Sequence, residues 1–441
     1  MPKSQGRALD RKKLLADPIL VAAIIGIFLF LFLFILYPLA ILLTDSVVVE
    51  KNINGTTLKT IGFANFIKIF KMTNFRHAIS NTLWLGLISG IGSTVIGFLF
   101  AYVDSYVDVG SKIVKKLFGV VSILPVVSPP FVLSLSAILL FGRTGVITRG
   151  LFNMNNTQLY GWRGIALVQI LTFFPVCYMM LKGLLKNIDP SLEEAARNMG
   201  ASRFKVFQTV TFPLLLPGIG NAFLVSFIES VADFANPMII GGNFDTLATS
   251  IYLQLTGAYD KSGATAMAVV LLVISMGLFI LEKYWLERKS VATLTGKATR
   301  GRSAITDSSV RIPLVTICTL LTVFVISMYI LVPFGSLFKI WGRDYHLSLK
   351  WYEYIFKNKG YRVFTDSMLL SAIASPITAF LSMIIAYLVV KRKFFAKGFM
   401  EFVAMLAMAV PGTVLGVGFI RGYNSGLFHS GVIVPVVGSK V

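Results

Sequence analysis

Residues Asp189–Pro217 read DPSLEEAARNMGASRFKVFQTVTFPLLLP, a polar island between two apolar runs. Those runs approach the length of about 20 residues that crosses a hydrocarbon core. The island must therefore face water on one side of a bilayer. Its chemistry is that of a short, well-capped helix. Asp189 is a candidate N-cap, and Pro190 fits the first helical position, where a missing N–H costs nothing. Glu193 and Glu194 fall in the first turns, where the helix dipole favours acids. Gly200 supplies a left-handed stop.

Working outward, the composition sets the class. Of 441 residues, 56% are hydrophobic, and the mean hydropathy is +0.77. Several apolar runs are long enough to span a membrane, and only helices or closed barrels can face lipid. The chain reads as all-α and polytopic. The net charge of +21 comes from 41 basic and 20 acidic residues. In a soluble chain that excess would suggest nucleic acid. Here the basic residues cluster in short loops between spans, which is a signal of membrane orientation, so no nucleic-acid partner is expected. Cys177 and Cys318 lie far apart in apolar runs and form no CxxC pair, so both read as buried thiols.

Spans are expected at about 19–43, 80–103, 117–141, 164–185, 218–240 and 265–286, then at about 313–338, 367–390 and 399–420. That makes nine, six before and three after a polar linker at 287–312. The first run is too long for a cleaved leader. Basic residues mark one side: the arm 1–18; Lys112, Lys115 and Lys116; Lys186, Arg197, Arg203 and Lys205; the linker; and Lys391, Arg392, Lys393 and Lys397. With the N-terminus inside, all five groups are cytoplasmic. The external stretch 339–366, with several lysines, fits least well.

The pattern repeats. Asn81–Tyr102 resembles Asp366–Tyr387 in constant register, and Leu124-Pro125 with Ser128-Pro129-Pro130 resembles Val410-Pro411-Gly412. Such repeats place a pathway at the interface of two halves. The domain reading is a basic arm at 1–18, a first half at 19–286 (core about 77–286, polar loop 186–217), the linker, and an incomplete second half at 313–441. About three further spans are expected to be missing, the chain being truncated or its gene split, with the remainder supplied by a second polypeptide or copy.

The island also fits a spacing: Glu194-Ala195-Ala196, three residues, Gly200, nine residues, Val210, one residue, Phe212 and Pro213. This resembles the cytoplasmic signature loop of permeases of binding-protein-dependent ABC importers, with Val and Phe where that family favours Ile and Leu. The whole chain looks like fused two-half permeases for ferric iron, and Asp233–Tyr259 is similar to the matching region of those proteins. The resemblance implies the type I importer transmembrane fold. It implies a cytoplasmic ATPase dimer and a periplasmic or lipoprotein solute-binding protein as partners, in a bacterial inner membrane. It also implies a coupling role for Glu193, Glu194, Ala195, Ala196, Arg197, Gly200 and Pro213. ATP sits on the partner; this chain is expected to bind no cofactor and to catalyse no reaction. Related permeases carry 2-aminoethylphosphonate, polyamines or sulfate, and these remain alternatives to iron.

The residues are compatible with that role. Ala195, Ala196 and Gly200 leave little bulk against an approaching partner surface, and Pro213 and Pro217 should break the chain as it re-enters the membrane. The glycine-bearing run Gly86–Thr94 lacks a phosphate-binding lysine and reads as helix packing. Glu229 and Asp233, four apart, should share one helix face. They could line a cation pathway, or sit wetted or hydrogen-bonded to neighbouring helices. Asn236-Pro237 should break that helix near its outer end, and Pro125, Pro129, Pro130 and Pro411 should interrupt helices near mid-membrane. His77, His346 and His429 have no ligand spacing, so no metal site is assigned. An ion-coupled transporter is the competing class; it would work without ATP.

Overall fold

The computed structural model describes residues 17–53, 56–154, 156–286, 305–358 and 360–424. Most of the basic arm, the linker up to residue 304, His429 and the tail from 425 lie outside the described residues. Seventeen helices and two short hairpins are described. In chain order they are α1 (Pro18–Val47), β1 (Val48–Ile53), β2 (Thr56–Ile61), α2 (Ala64–Lys71), α3 (Thr73–Tyr106), α4 (Lys112–Val121), α5 (Leu124–Val127) and α6 (Val132–Leu151). There follow α7 (Trp162–Asn187), α8 (Pro190–Asn198), α9 (Arg203–Ala232), α10 (Ala235–Ile240), α11 (Leu247–Thr256), α12 (Lys261–Tyr284) and α13 (Ser308–Ser336). The last are β3 (Phe338–Ile340), β4 (Asp344–Leu347), α14 (Lys350–Lys357), α15 (Gly360–Lys391), α16 (Lys397–Ala409) and α17 (Gly412–Tyr423).

Among the described residues eight helices are long and apolar enough to cross a membrane, or nine if α16 and α17 count as one bent span. The chain is thus a multi-pass membrane protein. Prolines explain where spans are not simple rods. The expected third span is three helices, because Pro129 and Pro130 cannot donate to a ladder and hold Ser128 extended. Pro411 sits between α16 and α17, which meet at 107°. Pro213 and Pro217 behave otherwise, correcting the expectation of a break there. A π turn at Phe207–Thr211 widens the helix just before Pro213, and α9 runs on through Pro217 to Ala232. The span then ends sooner than expected, at Asp233, whose backbone is extended.

The chain forms two compact units, residues 72–250 with 273–349, and residues 1–71 with 251–272 and 350–441. The first is built on α3, α7 and α9, packed pairwise. Glycines let these helices approach. A Cβ on Gly86 would meet the Phe227 ring at 3.2 Å, and one on Gly90 the Phe223 ring at 3.0 Å. One on Gly97 would meet Cys177 Cβ at 2.5 Å and the Tyr178 backbone nitrogen at 2.8 Å. Phe100, Phe174, Tyr178, Leu181 and Leu185 fill the core at one end. A second core joins Leu133, Val168, Leu171 and Ile240 to Val325 and Met328 of α13. In the other unit α17 lies along α1. Tyr37 Oη donates to the Gly422 carbonyl at 3.3 Å, and Arg421 Nε to Asp45 Oδ2 at 2.5 Å.

Candidate functional site

The polar island folds as its residues dictate. Asp189 Oδ1 accepts the Ser191 N–H at 2.9 Å and caps α8. The Ser191 backbone and hydroxyl hold its carboxyl below the usual carboxylate range. At the other end Gly200 has φ +90°. The Gly200 N–H donates to the Arg197 carbonyl at 2.9 Å and the Ala201 N–H to the Ala196 carbonyl at 3.1 Å. This pair of hydrogen bonds is the left-handed helix stop that favours glycine. A Cβ at Gly200 would meet nothing within 4 Å, so the constraint is backbone conformation rather than space.

The structure divides the signature residues between two faces. Glu193 points inward, where its Oε1 accepts the Tyr106 hydroxyl at 2.6 Å and the Thr211 hydroxyl at 2.8 Å. One carboxylate thereby ties α8 to the end of α3 and to the π turn of α9. Ala196 is buried at 8% exposure against that cradle. Glu194, Ala195, Arg197 and Gly200 face outward, with Leu192 and Met199 beside them; Met199 is 82% exposed. Phe204, also exposed, follows in the first turn of α9. The outward face is apolar with a charged fringe, the composition of a docking surface. A cavity of about 70 Å³ borders it, lined by Tyr102, Tyr106, Glu193, Glu194, Arg197, Phe207 and Ile305, among others. Ile305 seals it from the far side of the linker. Its N–H donates to the Tyr106 carbonyl at 2.7 Å, and its carbonyl accepts the Asp108 N–H at 3.1 Å. Pro213 stands in α9, away from the outward face of α8.

Sequence reasoning missed Tyr106, Thr211 and Ile305. Tyr106 and Thr211 sit in runs where aromatic and hydroxyl residues are ordinary. Only their convergence on Glu193 marks them.

At the break between α9 and α10 a polar network crosses five helices. Gln169 Nε2 donates to Asp233 Oδ2 at 2.8 Å, and Asn236 Nδ2 donates to the same oxygen at 2.9 Å. The Ser89 and Ser230 hydroxyls donate to Gln169 Oε1 at 2.8 and 2.6 Å. The Ser134 hydroxyl donates to Asn236 Oδ1 at 2.7 Å. Asp233 is thus hydrogen-bonded to neighbouring helices. Glu229 and Asp233 do not share a helix face, since α9 stops at Ala232. Glu229 is exposed on the surface of this unit and has no hydrogen-bond partner among the described residues. Pro237 lies in the first turn of α10, so the break comes before it, at Asp233-Phe234. Gln169 was not singled out from the sequence, although an amide inside the apolar run Ile165–Met180 is a signal worth reading.

Comparisons bear on this geometry. The family described as "Binding-protein-dependent transport system inner membrane component" matches residues 93–291, which include the whole island and the network from Ser134 on. The putative ferric transport system permease protein FbpB 1 of Haemophilus influenzae is 35% identical, over 98% of this chain and 68% of that protein. The ferric transport system permease protein FbpB of Actinobacillus pleuropneumoniae is 35% identical, over 96% of this chain and 62% of that protein. Among solved structures, a chain of a bacterial ABC transporter involved in the import of the acidic polysaccharide alginate matches with a TM-score of 0.51. It is 20% identical, over 63% of this chain and 98% of that one, and shows the shared fold.

Proposed function

Because this chain belongs to the family of binding-protein-dependent transport system inner membrane components, we propose that it is the membrane-spanning subunit of an ATP-driven importer whose solute is ferric iron. The similarity to two ferric permeases over nearly the whole chain supports that solute. The observation that carries the mechanism is the two-faced helix α8. Its inner face is locked to α3 and α9 through Glu193, and its outer face offers Leu192, Ala195 and Met199 with Glu194 and Arg197 beside them. A cytoplasmic ATPase seated on that face moves α8. The Glu193 hydrogen bonds pass the displacement to α9, the helix that ends at the polar break. A solute-binding protein delivers the solute on the opposite side. This chain hydrolyses nothing itself; ATP belongs to the partner.

The reading is tested by pairing sidedness with coupling. A Met199→Cys variant in whole cells should resist a membrane-impermeant thiol reagent and react in inside-out vesicles; the native Cys177 and Cys318 are buried and give little background. Gly200→Asp should leave the protein folded while abolishing solute-stimulated uptake. Labelling of the Met199→Cys variant from outside the cell, or normal uptake by the Gly200→Asp variant, would overturn the docking role.

A further inference from the structure

A groove of about 480 Å³ opens between α4, the end of α3 and the end of α7, and the coupling machinery does not use it. Its lining includes Lys112, Lys115, Lys116 and Lys182, against a single acid, Asp104. That acid is already engaged. Lys182 Nζ lies 3.0 Å from Asp104 Oδ2 and donates to Tyr178 Oη at 2.8 Å. The three α4 lysines are exposed, and no carboxylate among the described residues pairs with them. They fall at the first, fourth and fifth positions of α4, so they share one face at the helix N-terminus. The first turn of α4 carries no acid, so the positive end of the helix dipole adds to the lysine charge instead of being offset. The remaining wall is apolar, formed by Gly119, Val120 and Ile123. Val120 is 53% exposed and Ile113, one residue from Lys112, is 80% exposed.

Position selects the occupant. Asp104 is two residues from the end of α3, and Lys182 is five from the end of α7. Tyr106 and α8 lie at this same end. The groove therefore sits where spans leave the membrane, with cations toward water and apolar walls toward the hydrocarbon. A soluble anion would have no use for the apolar wall, and a neutral lipid none for three uncompensated lysines. A phosphate headgroup with its acyl chains satisfies both. We propose that this groove binds one anionic phospholipid, its phosphate held by Lys112, Lys115 and Lys116 and its chains lying along Val120 and Ile123. A lipid held here would brace α4 against α3 and α7, the two helices whose ends support the coupling helix. The lipid is placed in the cytoplasmic leaflet, and that placement alone rests on the sidedness proposed above.

The test is native mass spectrometry of the full-length chain in detergent, titrated with phosphatidylglycerol and, separately, with phosphatidylcholine. The wild type should retain one phosphatidylglycerol well above the phosphatidylcholine level. The triple variant Lys112→Gln, Lys115→Gln, Lys116→Gln should bind it roughly 100-fold more weakly, at about fivefold per lysine. The corresponding triple Lys→Arg variant should bind as the wild type does. Equal retention of the two lipids, or undiminished binding by the triple Gln variant, overturns the site. Displacement of the lipid by millimolar inorganic phosphate overturns it in favour of a soluble anion. If the phosphatidylglycerol preference and its loss both appear while the Met199→Cys variant is labelled from outside, the site stands and the leaflet assignment fails.

Discussion

Glu193 shows how much one residue carries. From the sequence it was one of two adjacent acids in a signature loop; in the fold it is an acceptor for two hydroxyls. Its replacement by Ala leaves Tyr106 and Thr211 without that acceptor, at a cost of about 1–3 kcal/mol. Glu194→Ala, on the outward face, should change stability by less than about 0.5 kcal/mol. Thermal unfolding of the two variants in detergent checks the contrast, and equal losses would mean that α8 is not anchored through Glu193. Asp260 makes a comparable argument through pH. Burial works against its charged form. The Lys68 ammonium at 2.7 Å, the Gly263 N–H at 2.9 Å and the Gln254 amide at 2.9 Å outweigh that and hold its carboxyl below the usual range. A depressed folded-state pKa contributes stability above the unfolded value of about 3.9, and that contribution is lost as pH falls through the folded value. The gap in thermal midpoint between wild type and Asp260→Asn should therefore be full at neutral pH and close below about pH 4. A gap independent of pH would count against the linkage.

Between helices, spacing is set by glycine and by proline. Gly97 on α3 faces the backbone of α7, and an added methyl would meet Cys177 Cβ at 2.5 Å and the Phe174 carbonyl oxygen at 2.9 Å. Backbone cannot rotate away, so α3 and α7 must separate. Gly97→Ala should cost about 1–3 kcal/mol through overpacking. Gly183→Ala on α7, with nothing within 4 Å, should be neutral or stabilising, since alanine is the better helix former. Unfolding midpoints of the pair decide the point; equal midpoints would mean that the α3–α7 seam is not close-packed at Gly97. Prolines were legible as helix interruptions at Pro129, Pro130 and Pro411. They misled at Pro213 and Pro217, because a π turn is a feature of three-dimensional hydrogen bonding that no residue spells out.

For the molecule as a transporter, the consequential feature is the polar break where α9 ends. Asp233, held by Gln169 and Asn236 at the break, and the exposed Glu229 in the last turn of α9 put two carboxylates, ligands suited to hard cations, at the end of a membrane span. Glu229→Gln combined with Asp233→Asn should lower ferric uptake at least several-fold while the chain still folds. Unchanged uptake would leave these residues with a purely structural part. The repeat adds a caution about reading packing from pattern. α3 and α15 share their motif in constant register, yet α3 is packed into the core of its unit and α15 is exposed along nearly its whole length, Leu388 being its buried residue.

Residue order alone determined the class of the molecule, a multi-pass helical membrane protein, and the caps of the helix in its polar island. These follow from hydropathy, from proline and glycine backbone chemistry, and from short-range hydrogen bonds made within a turn or two. Tertiary structure alone decided that Glu193 turns inward while Glu194 turns outward, that Gln169 joins Asp233, and that four lysines from two helices border one groove. Those relations hold between residues scores of positions apart, and they exist only once the helices have packed, since packing settles which side of each helix meets its neighbour.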